Sequence, residues 1–251
     1  LQMIQWTAAD IQPPLYYLLI WHSHIVFGQS EWALRFPSVV FNTLTIPLLY
    51  VLARRLFANW LSCRSLAALL AAAILAFSPL MVYYSQEARM YTLLVFEATL
   101  ASYLLLKIVH PAQPGQADAS SAFRLLPLAF LYALVAATAL YTHYFAAFLL
   151  LAHGLYITLI LWQHRWPRVL IIQSLQMFGL TVLLFAPWLP TLLSRLGDDP
   201  SYWPGALKLD EALRKVLISF TIGETVSEQT GVWLMSLYIG LLVLALGFLT
   251  L

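Results

Sequence analysis

A short polar turn in an otherwise apolar chain carries the side chains best suited to chemistry. The segment YYSQEARMY, residues 83–91, places Glu87 and Arg89 among three tyrosines, between two apolar runs. A carboxylate can accept a proton or hold a cation, and a planar guanidinium binds phosphate in a fixed geometry. An ion pair that simply closes the turn is an equally good interpretation. The residue types therefore predict a polar site without fixing its reaction.

A second polar turn, YTHY at residues 141–144, contributes an imidazole. His143 could bind a phosphate or carry a proton, because its charge changes near physiological pH. A histidine that is only hydrogen-bonded within a helix bundle is the plainer alternative, and the residues alone favour it somewhat.

A third segment, DIQPPLYY at residues 10–17, combines a carboxylate, two prolines and two tyrosines. Proline is favoured at the start of a helix, so we expect a short helix that presents Tyr16 and Tyr17 near a membrane surface. Taken alone, this pattern is typical of an aromatic interface anchor.

Composition identifies what must position these turns. Of the 251 residues, 62% are hydrophobic and 10% are charged, and the mean hydropathy is +0.81. A soluble domain could not bury so much apolar surface. We predict an all-α polytopic transmembrane bundle because the apolar runs are continuous and do not alternate. Seven runs have about the spanning length: Phe36–Ala53, Leu66–Tyr83, Ala88–Val109, Leu125–Tyr141, Phe145–Trp162, Val169–Leu189 and Val232–Leu251.

The positions of the cations predict an orientation. The shorter loops that contain Arg54 and Arg55 hold more cations per residue, so we expect them in the cytoplasm. Both polar turns and a long loop over 190–231 would then be external. Glu97 falls deep inside a predicted span, where we expect it to be neutral or hydrogen-bonded. The whole chain, 1–251, is predicted to form one transmembrane domain.

Several functional classes have no support in the sequence. The net charge is only +2 and the cations are scattered, so no nucleic-acid partner is expected. The single cysteine, Cys63, excludes an intrachain disulfide. Metal-ligand spacings, glycine-rich phosphate loops and hydrolase elbows are absent from the sequence, so no metal ligand is predicted.

The order of segments resembles a known family. QPPLYYLL is followed by SEWALRFPSVVFNTLTIPLLYVLARRLF, SPLMVYYSQEARMYTLL, ALYTHYFAAFLLLAHGLY and FAPWLP. This series is similar to bacterial glycosyltransferase family 39 proteins, the relatives of dolichyl-phosphate-mannose protein mannosyltransferases and of the lipid A aminoarabinose transferase. The likeness extends over nearly the whole chain.

The resemblance implies a membrane enzyme that moves a sugar from a polyprenyl-phosphate donor to a lipid, glycan or protein acceptor on the external face. It implies residence in the bacterial plasma membrane, among membrane lipids. Glu87 then becomes a site carboxylate, and Arg89 and, less firmly, His143 become ligands of the donor phosphate. The remaining candidates would line the site or its acceptor entrance: Asp10, Pro14, Tyr16, Tyr17, Tyr84, Tyr91 and Tyr144.

The chain departs from the family pattern in one respect. The family's acidic motif lies upstream of the PPLYY segment, and this chain begins after it, so Asp10 is not that residue. We therefore expect an internal fragment that is inactive by itself. No cofactor is predicted with certainty, and participation of a divalent cation stays open.

Two other classes compete with the enzyme. A polytopic transporter or lipid flippase would share the helices and an external charged vestibule, but transporters usually show internal repeats, and none is evident. A purely structural membrane subunit would use the external charges only to pair with one another.

Overall fold

The computed structural model describes the main chain over residues 12–58, 63–110, 119–163, 165–166, 168–195, 215–219, 230–233, 236–237 and 239–240. All elements in these stretches are helical, which confirms the predicted all-α class. We number the principal helices α1 (Leu15–Phe27), α2 (Glu31–Leu56), α3 (Arg64–Ala76), α4 (Pro79–Ser85), α5 (Tyr91–Val109), α6 (Ala119–Thr142), α7 (Ala146–Gln163), α8 (Arg168–Phe185) and α9 (Leu189–Arg195). A 3₁₀ turn, Ala186–Trp188, joins α8 to α9.

The number of spans differs from the prediction. Four helical segments are long and apolar enough to cross a bilayer: Glu31–Leu56, Tyr91–Val109, Ala146–Gln163 and Arg168–Ser194. A fifth is obtained if α3 and α4, which are bent by 53° at their junction, form one broken span. Seven spans are therefore not confirmed in the described part of the chain, and most of the predicted span 232–251 lies outside it.

The bend between α3 and α4 has a local cause. Ser78 has an extended backbone and its hydroxyl accepts a hydrogen bond from the Met81 amide at 3.5 Å, while Pro79 occupies the first helical position. Serine as a cap followed by proline is a strong signal for a helix start. The predicted continuous run over 66–83 is consequently split, because these two residues begin a new helix.

The interior of the bundle lies among α5, α6, α7 and α8. α6 packs against both α5 and α8, and buried residues from all four helices form one apolar cluster that includes Leu104, Ala136, Ile157 and Met177. The outer surface is apolar as well, since Phe77, Phe148 and Val182 are each more than 60% exposed. Large apolar side chains facing outward are suited to lipid and not to water.

A proline in α2 leaves a carbonyl available for a hydrogen bond from α1. Pro37 lies inside α2 and lacks an amide hydrogen, so the carbonyl of Ala33, four residues earlier, has no helical partner. The Ser23 hydroxyl of α1 donates to that carbonyl. Gly28, which ends α1 with φ of +85°, and Ser30, whose side chain caps α2, make the tight reversal between the two helices.

Candidate functional site

A serine of α2 holds the backbone of the turn between α4 and α5 in place. The hydroxyl of Ser38 donates to the Glu87 carbonyl at 2.7 Å and lies 3.2 Å from the Arg89 carbonyl. Because its single hydrogen is used there, the Tyr16 hydroxyl must be the donor in the 2.5 Å contact between Tyr16 and Ser38. A relay from Tyr16 through Ser38 thus anchors the backbone of the turn, and both side chains are buried.

The two charged side chains of the turn remain accessible. Arg89 Nε lies 3.9 Å from Glu87 Oε2, and their side chains are 61% and 39% exposed, respectively. Such a long, exposed contact contributes little stability. The hydrogen bond of Arg89 to the Tyr91 side chain raises the pKa of the guanidinium, and the Glu87 carboxylate acts in the same direction. The turn therefore presents a guanidinium that stays charged, next to a carboxylate. Because their contact is weak, a ligand could displace the carboxylate from the guanidinium.

Tyrosine rings connect this turn to the second one. The ring of Tyr91 lies 4.5 Å from that of Tyr84 and 6.1 Å from the imidazole of His143, measured between centroids. The structure therefore brings together residues from the two turns that the sequence singled out separately.

His143 is held in a defined tautomer. The Phe145 amide donates to His143 Nδ1 at 3.1 Å, so the ring proton of the neutral imidazole is on Nε2. Burial lowers the pKa of His143. At neutral pH the side chain is therefore mostly uncharged and donates a hydrogen bond through Nε2. Its predicted role at a phosphate is then that of a neutral hydrogen-bond donor.

The other predicted lining residues occupy different surroundings. Pro14 is buried at the start of α1, and the rings of Tyr16 and Tyr17 meet edge to face at 6.5 Å. Tyr144 accepts a hydrogen bond from Trp188 Nε1 at 3.1 Å and packs in an aromatic cluster next to the end of α8. Asp10 lies outside the described residues.

Sequence reasoning missed two residues that shape the site. Ser38 was not singled out, because its hydroxyl bonds to carbonyls 49 and 51 positions further along the chain. Trp188 lies in the FAPWLP segment, but the sequence did not indicate that its hydrogen-bond partner is Tyr144. Glu97 is buried, as expected, and lies within reach of the Thr138 and Thr142 hydroxyls, beneath the second turn.

The described residues contain no group of three or more histidine, cysteine or acidic side chains that could hold a metal ion. Participation of a divalent cation stays open, as it does from the sequence. The arrangement itself offers an exposed guanidinium, a neighbouring carboxylate, a neutral imidazole donor and phenol rings in tilted contact. This set suits recognition of a phosphate and of sugar hydroxyl groups.

Comparison with known proteins gives one finding. A family model described as dolichyl-phosphate-mannose-protein mannosyltransferase matches residues 11–192, which is more than half of the chain. No curated protein and no solved structure matches the chain. The matched stretch includes both polar turns, Ser38 and Trp188.

Proposed function

The chain belongs to the dolichyl-phosphate-mannose-protein mannosyltransferase family, and from this membership we propose that it transfers a sugar from a polyprenyl-phosphate donor to a lipid, glycan or protein acceptor. The family confirms the resemblance to glycosyltransferase family 39, and it makes the chain a membrane glycosyltransferase. The proposal adds the donor class, the acceptor classes and a location at the external face of a bacterial plasma membrane.

The single observation that supports this proposal most strongly is the meeting of the two polar turns at one end of the bundle. Arg89 is exposed and is held by Tyr91, and the ring of Tyr91 reaches His143. A donor phosphate bound there would face one permanent cation and one neutral imidazole donor.

In the proposed reaction, an acceptor hydroxyl oxygen attacks the anomeric carbon of the sugar, and the bond from that carbon to the phosphate oxygen breaks. Polyprenyl phosphate departs with the bonding electrons, and Arg89 stabilises the charge that develops on it. The Glu87 carboxylate takes the hydroxyl proton or orients the acceptor. The Nε2 hydrogen of His143 donates to a phosphate or sugar oxygen.

Measurement of sugar transfer tests these roles. The protein, expressed at its natural length in membranes, is given radiolabelled polyprenyl-phosphate sugars. We expect Arg89→Ala to lower the transfer rate by about 100-fold or more, because a preorganised charge at the leaving group is lost. We expect Glu87→Gln to lower it by about 100-fold or more, because a general base contributes on that scale.

The chain offers a matched pair of controls. Glu31 and Arg35 form an exposed ion pair of 3.3 Å near the start of α2, so Glu31→Gln and Arg35→Ala remove the same charges without touching the turn. Both controls should transfer sugar at nearly the wild-type rate. Transfer that is unchanged in Glu87→Gln and Arg89→Ala removes these residues from the mechanism. Failure of the wild-type protein with every polyprenyl-phosphate sugar argues against the donor class.

A further inference from the structure

A recess at the other end of the bundle is lined by three arginines. α2 carries Ser38, below the candidate site, near one end and Arg55 near the other, and 17 residues of helix at about 1.5 Å each separate them by about 25 Å. The recess lies where α2 ends and α3 begins. Its lining residues are Val51, Arg54, Arg55, Ala58, Arg64 and Tyr103.

No carboxylate among the described residues balances these cations. The acidic residues that the structure describes are Glu31, Glu87 and Glu97, and they lie near the start of α2, in the turn before α5 and in the first half of α5. Lys107 adds a further cation next to the recess, since its ammonium lies 5.2 Å from the ring of Tyr103, which lines it. The charged side chains that line the recess in the described part of the chain are therefore all cationic, which suits an anion.

Two of the arginines have features beyond their charge. Arg55 is held in place by donating from its terminal nitrogen to the His110 carbonyl. Arg64 is the first residue of α3, a 13-residue helix whose N-terminus has no side-chain cap. The partial positive charge of that helix end adds to the charge of the guanidinium.

We propose that this recess binds the phosphate headgroup of an anionic phospholipid. Guanidinium groups and a helix N-terminus are both suited to phosphate oxygens, and basic pockets between membrane helices are known sites for anionic headgroups. The surroundings favour a lipid over a soluble anion, because α3 exposes Leu66, Leu69 and Leu70, a surface on which acyl chains can lie. This site is separate from the proposed sugar-transfer site.

A simpler role for the arginines must be distinguished from this one. Arg54 and Arg55 stand in the last turn of α2, where cations offset the negative end of a helix. If the arginines had only that role, they would attract anionic lipids to this end of the bundle in general, and no single arginine would be required. A specific headgroup site instead requires that the arginines lining the recess matter more than other cations at the same end.

The test uses the natural-length protein in nanodiscs of phosphatidylcholine, to which phosphatidylglycerol is added in increasing fraction. The apparent affinity for phosphatidylglycerol is read from the rise in thermal unfolding temperature and from lipid retained in native mass spectra. Arg55→Gln and Arg64→Gln are each expected to weaken that affinity about tenfold, the size expected for loss of one hydrogen bond to a charged group. Arg55→Gln could also weaken folding, because Arg55 donates to a backbone carbonyl. Arg64→Gln avoids this ambiguity, because Arg64 is exposed.

Arg168→Gln is the matched control. Arg168 is exposed at the start of α8, at the same end of the bundle, and does not line the recess, so it should bind the lipid like the wild type. The proposal is overturned if Arg55→Gln and Arg64→Gln bind phosphatidylglycerol normally, or if Arg168→Gln weakens binding equally. It is also overturned if inorganic phosphate in pure phosphatidylcholine discs stabilises the protein as strongly as the anionic lipid does.

Discussion

At the scale of single residues, His143 shows how a main-chain contact decides what a side chain can do. The sequence predicts an imidazole that binds phosphate or carries a proton, which leaves its charge open. The Phe145 amide occupies Nδ1, and burial lowers the pKa of the ring. His143 is consequently neutral over the physiological range and offers one donor, at Nε2.

The pH dependence of sugar transfer tests this assignment. Because burial holds the pKa of His143 below its ordinary value of 6.5, more than half of the rings are neutral at pH 6.5 and the neutral fraction grows above it. The ratio of wild-type to His143→Ala transfer rates should therefore stay constant from about pH 7.5 to about pH 8.5. A charged imidazole would behave in the opposite way, since its contribution would fade as the pH rises, and the ratio would fall toward one.

At the scale of elements, the junction of α1, α2 and the turn before α5 depends on a proline and a serine. Pro37 leaves the Ala33 carbonyl free for Ser23 of α1, and Ser38 links Tyr16 of α1 to the turn. The helix that carries the predicted tyrosines and the turn that carries the predicted charges are thus fastened to the same point of α2.

Removal of the Ser38 hydroxyl should loosen that junction. Ser38→Ala leaves the turn carbonyls and the Tyr16 hydroxyl without their partner, so we expect the free energy of unfolding to fall by about 1–3 kcal/mol. We also expect slower sugar transfer, because the backbone that positions Glu87 and Arg89 is no longer anchored.

Thermal unfolding in detergent and transfer assays in membranes measure the two effects. Thr43→Val is the control, since the Thr43 hydroxyl bonds only to the Val39 carbonyl of the same helix at 2.8 Å and is exposed. Its loss should change neither quantity appreciably. If Ser38→Ala unfolds more easily and still transfers sugar at the wild-type rate, the anchor stabilises the protein without positioning the site.

At the scale of the whole molecule, the bundle is compacted around small residues of α6. Ala129, Ala133, Ala136 and Ala139 are each at most 1% exposed. Small side chains let neighbouring helices approach closely, which is the usual basis of packing between membrane helices. α6 can therefore lie against α5 and α8 at once, and this places the second turn beside the first.

Enlargement of one of these residues should separate the helices. Ala136→Leu adds volume to a full core, so we expect the free energy of unfolding to drop by about 1–3 kcal/mol. Ala152→Leu makes the same change at an exposed position of α7 and should leave stability nearly unchanged. Denaturation in mixed micelles compares the two variants, and equal stability would show that the α6 interface is not tightly packed.

The sequence by itself determined the properties that depend on local composition. Continuous apolar runs require helices in a membrane, because backbone groups in lipid must be satisfied within each segment, and the two polar turns stand out because charge is costly there. The family resemblance followed from the order of quoted segments such as SPLMVYYSQEARMYTLL and ALYTHYFAAFLLLAHGLY, and it is confirmed by the family match.

Only the tertiary structure decided the features that depend on which helices become neighbours. The anchoring role of Ser38 and the contact between Tyr91 and His143 join residues whose relation is not visible in a linear pattern. The same is true of the hydrogen bond from Trp188 to Tyr144. Helix formation is set by neighbours in the chain, whereas the pairing of helices is set by the shapes of their packed surfaces, which hydropathy does not encode.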